Sequence, residues 1–390
     1  DPLPWLAVLA GRTVGDRELS DRFLRDFRRT AADLMAENHY GRFRDLSRRW
    51  GMGIHPESGG PFFVSIMDAL MNLGRSDIPM GEYWIRQSEP AGNIWYADQY
   101  GTCDTVKQAA TAAHIYGKKP CQAEAFTNMG RNWEEDFFML KAIGDRAFCA
   151  GLTRNMLCFY VHQPSLDIQP GYQWPEAGTH FDRNVTWWSR IHAFTGYLSR
   201  CQFLLQQGLF VADVCYFAGE DAPCYVPAKT HMKPPLPRGY DCDTVNGEVL
   251  GTRLSVRDGR LALPDGMTYR LLVLPQRETM TPQVLRKIAD LVEAGATVVG
   301  PKPSRSPSLQ GHPECDREVH TLADRVWGDC DGASVRERSF GKGRVVWGKT
   351  IEEVLRSDGA PPDFEFEGRR KDADLDFLHR RLGETEIYFV

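Results

Sequence analysis

The sequence contains no run of about 18 apolar residues, so it offers no membrane-spanning helix. It has no basic stripe either. Lys and Arg are scattered, and a net charge of −5 with a pI near 6.1 gives no general attraction to nucleic acid or anionic membranes. None of the ten cysteines stands in a C-x-x-C arrangement, which excludes zinc ribbons and thioredoxin-like redox chemistry. Cys121, Cys158 and Cys215 fall in apolar runs, where a thiol reads as a small buried hydrophobe. No G-x-G-x-x-G turn follows a strand-like run, which argues against a dinucleotide fold. Repeats and low-complexity tracts are also lacking. The opening Asp1-Pro-Leu-Pro carries neither Met nor a signal-peptide pattern, so a mature product or a fragment is expected.

What is present is an ordinary globular composition, 42% apolar and 25% charged over 390 residues, enough for two or three domains. Phe23, Phe27, Ala31 and Leu34 recur at helical spacing, which predicts a helix over 17–49 with its charged face exposed. Short apolar strands are expected at 53–57, 78–84, 120–126, 155–161 and 209–217. Helices are expected between them at 62–73, 104–116, 133–149 and 187–207. Such alternation means an open α/β sheet or a barrel. Polar residues at successive strand ends favour the barrel, because its active site is built there. The fold class expected is therefore α/β: a (β/α)8 TIM-barrel-type catalytic domain in which only the later strands, four to eight, are present. A Pro-rich stretch around 222–250 then leads to a small α/β domain with strands at 269–275, 296–300 and 344–347 and a helix at 281–294. The divisions expected are 1–228, 229–350 and a tail of 351–390, whose closing strand has no evident partner.

Three strand ends deliver a glutamate: Glu57 in Gly51-Met-Gly-Ile-His-Pro-Glu57, Glu82 in Asp77-Ile-Pro-Met-Gly-Glu-Tyr-Trp84, and Glu124 in Lys119-Pro-Cys-Gln-Ala-Glu-Ala-Phe-Thr127. Glycoside hydrolysis needs two carboxyl groups, one to protonate the leaving oxygen and one as base or nucleophile. Crowded carboxyls raise one another's pKa, which keeps an acid available near neutral pH. A single such Glu would more often form a salt bridge or cap a helix; three in succession point to a site. Glu220, in Gly219-Glu-Asp221, closes the series as a candidate for a sugar hydroxyl, a metal or a loop contact. His55 and His162 stand at strand ends and could bond substrate hydroxyls. Flat aromatic faces suit sugar rings, and Trp84, Trp95 and Trp174 are the candidates for a pocket wall. In the loop 174–183, His180, Asp182 and Arg183 either reach substrate or fasten the loop. An oxygen-rich cluster would suit Ca²⁺ rather than zinc.

Together, Asp26-Phe-Arg-Arg-Thr30, His55-Pro-Glu-Ser-Gly-Gly-Pro61, 77–84, Ala113-His-Ile-Tyr-Gly117, Ala123-Glu-Ala-Phe-Thr127, Gly178-Thr-His-Phe-Asp-Arg183, Ala212-Asp-Val214 and Gly219-Glu-Asp221 resemble glycoside hydrolase family 106. The resemblance runs through most of 1–228. Residues 240–300 look like the family's amidotransferase-like accessory domain, and 386–390 like the start of a β-sandwich. It implies an α-L-rhamnosidase that releases terminal rhamnose from glycosides or saccharides by inversion, with a calcium ion holding rhamnose hydroxyls and a secreted or periplasmic location. By motif, Glu124 is the base. The acid is Glu82 or Glu57, and the remaining one binds calcium or substrate. A carbohydrate is the expected partner, with no nucleic acid and no membrane. Two other readings stand beside it. One is a non-catalytic carbohydrate-binding remnant. The other is an amidotransferase-like enzyme, weakened because Thr297-Val-Val-Gly-Pro-Lys302 has no elbow Cys and Cys315 lies in a polar loop.

Overall fold

The structure is a computed structural model, and it describes residues 3–58, 66–85, 105–128, 133–174, 179–368 and 375–390. The first helices are α1 (Leu6–Leu9), α2 (Arg17–Met35) and α3 (Arg42–Arg48), with a π-helical turn, Ala36–Gly41, joining the last two. Asp16 caps α2 by accepting from the Leu19 amide at 2.8 Å, and Gly51, at φ +68°, follows the end of α3. The charged face expected to be exposed is in fact turned inward. The Arg22 guanidinium grips both oxygens of Asp316 at 3.0 and 2.7 Å, Arg25 donates to Asp221 and Arg29 to Asp68. Phe27 and Leu34 remain exposed instead. Arginine pairs with carboxylates from distant segments, that of Arg22 bidentate, outweigh the helix's own apolar stripe.

Next come α4 (Ala69–Arg75), β1 (Met80–Trp84), α5 (Thr105–Ile115), β2 (Gln122–Thr127), α6 (Phe137–Cys149) and β3 (Arg154–Leu157). The three strands form one parallel sheet in the order β1-β2-β3, with Glu82 opposite Glu124 and Glu124 opposite Met156. Because side chains alternate along a strand, this register puts Met80, Glu82, Gln122, Glu124 and Met156 on one face. The other face carries Gly81, Tyr83, Ala123 and Ala125 against the helices. A Cβ on Gly81 would sit 2.3 Å from the Thr105 carbonyl oxygen, so only glycine lets α5 lie this close to β1. No strand forms at 53–57. That segment is held instead at one end: the Ile54 carbonyl accepts from the amides of Asp77 and Ile78, and its amide donates to Asp77 Oδ2 at 2.9 Å. Of the helix expected at 62–73, residues 62–65 lie outside the described residues, 66–68 are not helical, and α4 covers 69–73 and two residues more.

After α7 (Ile191–Leu205) and Gly208 (φ +61°), the strand expected at 209–217 is split. Its first piece, β4 (Leu209–Phe210), is followed by β5 (Val214–Phe217), and the two join different sheets. The rest comprises β6 (Cys242–Val245), α8 (Gly247–Thr252), β7 (Ser255–Arg257), β8 (Arg260–Ala262), β9 (Thr268–Tyr269), β10 (Leu271–Val273), α9 (Pro282–Ala294), β11 (Thr297–Val299), α10 (Glu314–Trp327), β12 (Glu337–Phe340), β13 (Gly343–Val346), α11 (Ile351–Ser357), β14 (Leu378–Leu382) and β15 (Thr385–Phe389). β5 lies inside a six-stranded sheet ordered β12-β13-β11-β10-β5-β6, parallel except for β12. It is therefore not a neighbour of β1–β3, and the sheet crosses the boundary expected at residue 228. A buried parallel strand is uniformly apolar whichever sheet it joins, so β5 gave no sign of its partners. The small sheet β7-β8-β9 packs against β10 and α9 of this unit. β15 does have a partner, because β14 pairs with β15 on one side and β4 on the other.

A buried polar tie holds the two halves together. Asp243, fully buried, accepts from the hydroxyls of Thr111 at 3.1 Å and Tyr269 at 2.8 Å and lies 3.0 Å from His114 Nδ1. Two residues away, Asp241 is flanked by Lys107 at 3.0 Å and Lys229 at 2.8 Å. The apolar core is continuous across the same junction, from Ala109 and Ala113 through Phe210 to Leu272.

Candidate active site

Glu82 and Glu124 are directly opposite one another on adjacent parallel strands, so their side chains leave the same face of the sheet. Glu57, on the segment pinned by Asp77, completes the group. One carboxylate oxygen from each of the three lies within 4.8 Å of the others. The structure thus brings together the three glutamates expected at strand ends, although Glu57 arrives on an irregular segment.

The supports of the three carboxyls differ. The Glu82 carboxyl accepts from the Trp84 indole N–H, and its backbone amide and carbonyl both bond the Thr105 hydroxyl, at 3.0 and 2.5 Å. Glu124 Oε1 accepts from the Thr127 hydroxyl at 2.6 Å, which fixes its plane. The Glu57 and Glu124 carboxyls share a hydrogen bond, and Glu57 Oε1 is buried without a hydrogen-bond partner among the described residues. Burial is the main cause pushing Glu57 up to about 8, and the charges of Glu82 and Glu124 add to it. Burial and Glu124 push Glu82 up to about 7, against the pull of the Trp84 donor. Among the described residues no Lys, Arg or His forms an ion pair with any of the three.

Three like-charged groups this close need a proton or a cation between them. Two oxygens bound at 2.3–2.6 Å to one hard ion are separated by at most ~5 Å. The observed 4.8 Å is inside that limit, and an all-oxygen donor set suits calcium. The residues present fit such an ion.

The other candidates separate clearly. His55 Nδ1 is 3.2 Å from the Gln122 amide nitrogen and 3.4 Å from Met80 Sδ, one step along the same face from the glutamates. Trp84 is engaged with Glu82. Trp174 is largely exposed, with its ring edge toward Phe159, and His162 is exposed beyond β3. Trp95 and residues 175–178 lie outside the described residues. Asp182 and Arg183 fasten the loop: Asp182 accepts from the Gln163 side chain and the Asn184 amide, and Arg183 donates to the carbonyls of Gln163 and Ser165. Glu220 is engaged elsewhere, its carboxylate accepting from the Thr281 amide and hydroxyl at the start of α9, with Arg25 at 3.9 Å. His180 is buried and stacked on Trp133, with ring centroids 3.8 Å apart.

Sequence reasoning passed over Thr105, Gln122, Thr127 and Cys158. The thiol of Cys158, pushed up to about 12 mainly by burial, faces Thr127 and Glu124. Gln122 was the accessible one, since it stands two residues before Glu124 and must share its face.

Comparison with known proteins gives the family. The α-L-rhamnosidase model of glycoside hydrolase family 106 matches residues 1–390. The rhamnosidase from Novosphingobium sp. PP1Y superposes with a TM-score of 0.87 at 34% identity, covering 100% of this chain and 36% of that one. A protein of Formosa agariphila, provisionally named a β-glucuronidase, is 38% identical over 388 residues, 99% of this chain and 30% of its own. This chain therefore spans about a third of the length of these relatives. A β-galactosidase from Rahnella sp. R3, at 13% identity and a TM-score of 0.54, shares the fold alone. The chain belongs to glycoside hydrolase family 106, the α-L-rhamnosidase family.

Proposed function

We propose that the protein releases terminal α-L-rhamnosyl units through a carboxyl site in a (β/α)8-barrel-type half of which β1–β3 are part; inversion is carried by the family resemblance and not by the carboxyl spacing, since oxygens within 4.8 Å of one another stand closer than the ~6.5–9.5 Å between the carboxyls of inverting enzymes. The observation that carries this reading is the convergence of Glu57, on an irregular segment, with Glu82 and Glu124 on the adjacent parallel strands β1 and β2. Glu124 is the base. Its plane is held by Thr127, and its carboxylate takes a proton from the water that attacks the anomeric carbon. Glu57 is the acid. Its buried Oε1, without a partner among the described residues, is suited to carry the proton that passes to the glycosidic oxygen as the bond to the aglycone breaks. Glu82, tethered by Trp84, takes no part in proton transfer and orients the sugar. Glu82 is also the residue to hold a calcium ion, with its two neighbours within reach; the ion would supply positive charge for the rhamnose hydroxyls. The amidotransferase-like domain has no role in the chemistry.

A neutral sugar suits the site better than the uronic acid in the name of the Formosa relative. A glucuronide would add a fourth carboxylate to three that have no cationic partner among the described residues. The test is hydrolysis of an aryl α-L-rhamnoside by the wild type, Glu124→Gln and Glu57→Gln. Turnover should fall by ~10³ or more for Glu124→Gln. Glu57→Gln should lose least on a dinitrophenyl rhamnoside, whose leaving group needs no proton, and most on an alkyl one. Saturable rhamnose binding without turnover in the wild type would mean a binding remnant instead.

A further inference from the structure

His180 is 2% exposed, yet neither ring nitrogen has a hydrogen-bond partner among the described residues. Leaving a buried polar group unpaired costs ~1–3 kcal/mol, so such a group in a native fold is expected to meet a ligand. Its setting supports this. Thr179 pairs backbone to backbone with Cys158 and Phe159, at 2.9 and 3.0 Å, and its hydroxyl donates to the Phe126 carbonyl at 2.8 Å. The Cys158 thiol in turn faces Thr127 and Glu124. The segment carrying His180 is therefore tied to the ends of β2 and β3, meeting β2 at Phe126, two residues beyond Glu124.

The imidazole is held rather than loose. Trp133 stacks on it with planes 15° apart, and Trp133 itself has φ +76°, a backbone region that large side chains rarely adopt. Phe126, whose carbonyl receives Thr179, has φ +65°. Two of the three non-glycine residues at positive φ among the described residues thus frame this histidine, and backbone strain of that kind gathers at ligand sites. The neighbouring polar groups already have partners. Glu135 is bonded to the Asn128 amide, and its carbonyl accepts from Trp187; Asp182 is bonded to Gln163 and Asn184. Burial lowers the pKa of His180, with Glu135 and Asp182 opposing, so the ring has reason to stay neutral.

We infer that His180 is a specificity residue that hydrogen-bonds one hydroxyl of the glycosyl unit held at the carboxyl cluster, with Trp133 fixing the plane of its ring. A neutral imidazole offers one donor and one acceptor, so it recognises a hydroxyl, which can answer either. The inference rests on the rhamnosidase reading of the same site. Its test is kinetic: kcat and KM of wild type, His180→Ala and His180→Gln on 4-nitrophenyl α-L-rhamnoside and on its 2-, 3- and 4-deoxy analogues, with thermal midpoints measured alongside. The expected result is a ~10–100-fold loss in kcat/KM for His180→Ala on the parent sugar. The loss should be abolished on one deoxy analogue, which lacks the bonded hydroxyl, and partly restored by His180→Gln. An equal loss on every analogue would mean a structural role and would overturn the inference, as would unchanged kinetics on the parent. If the wild type hydrolyses no rhamnoside, the rhamnosidase reading fails first, and binding of free rhamnose by wild type but not His180→Ala then tests the histidine on its own.

Discussion

A carboxyl gathered into a cluster for chemistry should weaken the fold, and Glu82 lets that cost be measured. Its pKa rises from 4.5 to about 7, with burial the chief cause. The native state therefore binds more protons than the unfolded chain between these values, so stability falls as pH rises through that window and stays low above it. At ~1.36 kcal/mol per pH unit the full effect is about 3 kcal/mol, and about 2 kcal/mol after screening by solvent at the mouth of the site. Glu82→Gln keeps the shape and removes the charge. At pH 8 the variant should be more stable than the wild type by about that amount, a rise of roughly 2–4 °C in Tm for a chain of this size. At pH 4 the two should coincide. The assay is thermal unfolding across pH 4–8 with a chelator present, since a bound cation would neutralise the same charge. A variant equally or less stable than the wild type at pH 8 would refute the claim that Glu82 is held against its own ionisation.

Other predictions concern the frame around the site. Gly81→Ala should cost ~2 kcal/mol or more and reduce turnover, because its Cβ meets the Thr105 carbonyl at 2.3 Å and must push α5 off the strand that carries Glu82; denaturant unfolding with parallel kinetics checks both. Asp243→Ala strands three donors in the buried tie between the halves and should destabilise by ~3–5 kcal/mol, read from the urea midpoint. Glu248, bonded to Arg75, is held below its ordinary pKa against the effect of burial. Its contribution is complete above about pH 4.3 and disappears as pH falls through the lower folded value. Glu248→Gln should therefore be less stable than the wild type at pH 6 and converge with it near pH 2.

The parts of this fold that were legible in the sequence are those set by local rules. Short apolar runs placed β1, β2 and β3, and the alternation of side chains along a strand puts Glu82 and Glu124 on one face once the strands pair in register. What escaped depended on distant partners. Arg22, Arg25 and Arg29 read as a solvated helix face, yet Asp316, Asp221 and Asp68 draw them inward. β5 has the composition of any buried parallel strand, so its place beside β10 and β6 was invisible. Residues 53–57 resemble a strand but are tied at one end to Asp77 rather than along a ladder. In the loop near the site, His180, Asp182 and Arg183 look alike in sequence. Only their partners divide them, two fastening the loop and one left with open hydrogen-bonding positions.

The most direct measurement is the anomer first released from an aryl α-L-rhamnoside, followed by proton NMR before mutarotation equilibrates the product. A base that delivers water to the face opposite the leaving group, as assigned to Glu124, yields β-L-rhamnose first, and Glu124→Gln abolishes the signal. Release of α-L-rhamnose first would show retention, make one of the carboxyls a nucleophile, and contradict the roles given to Glu124 and Glu57.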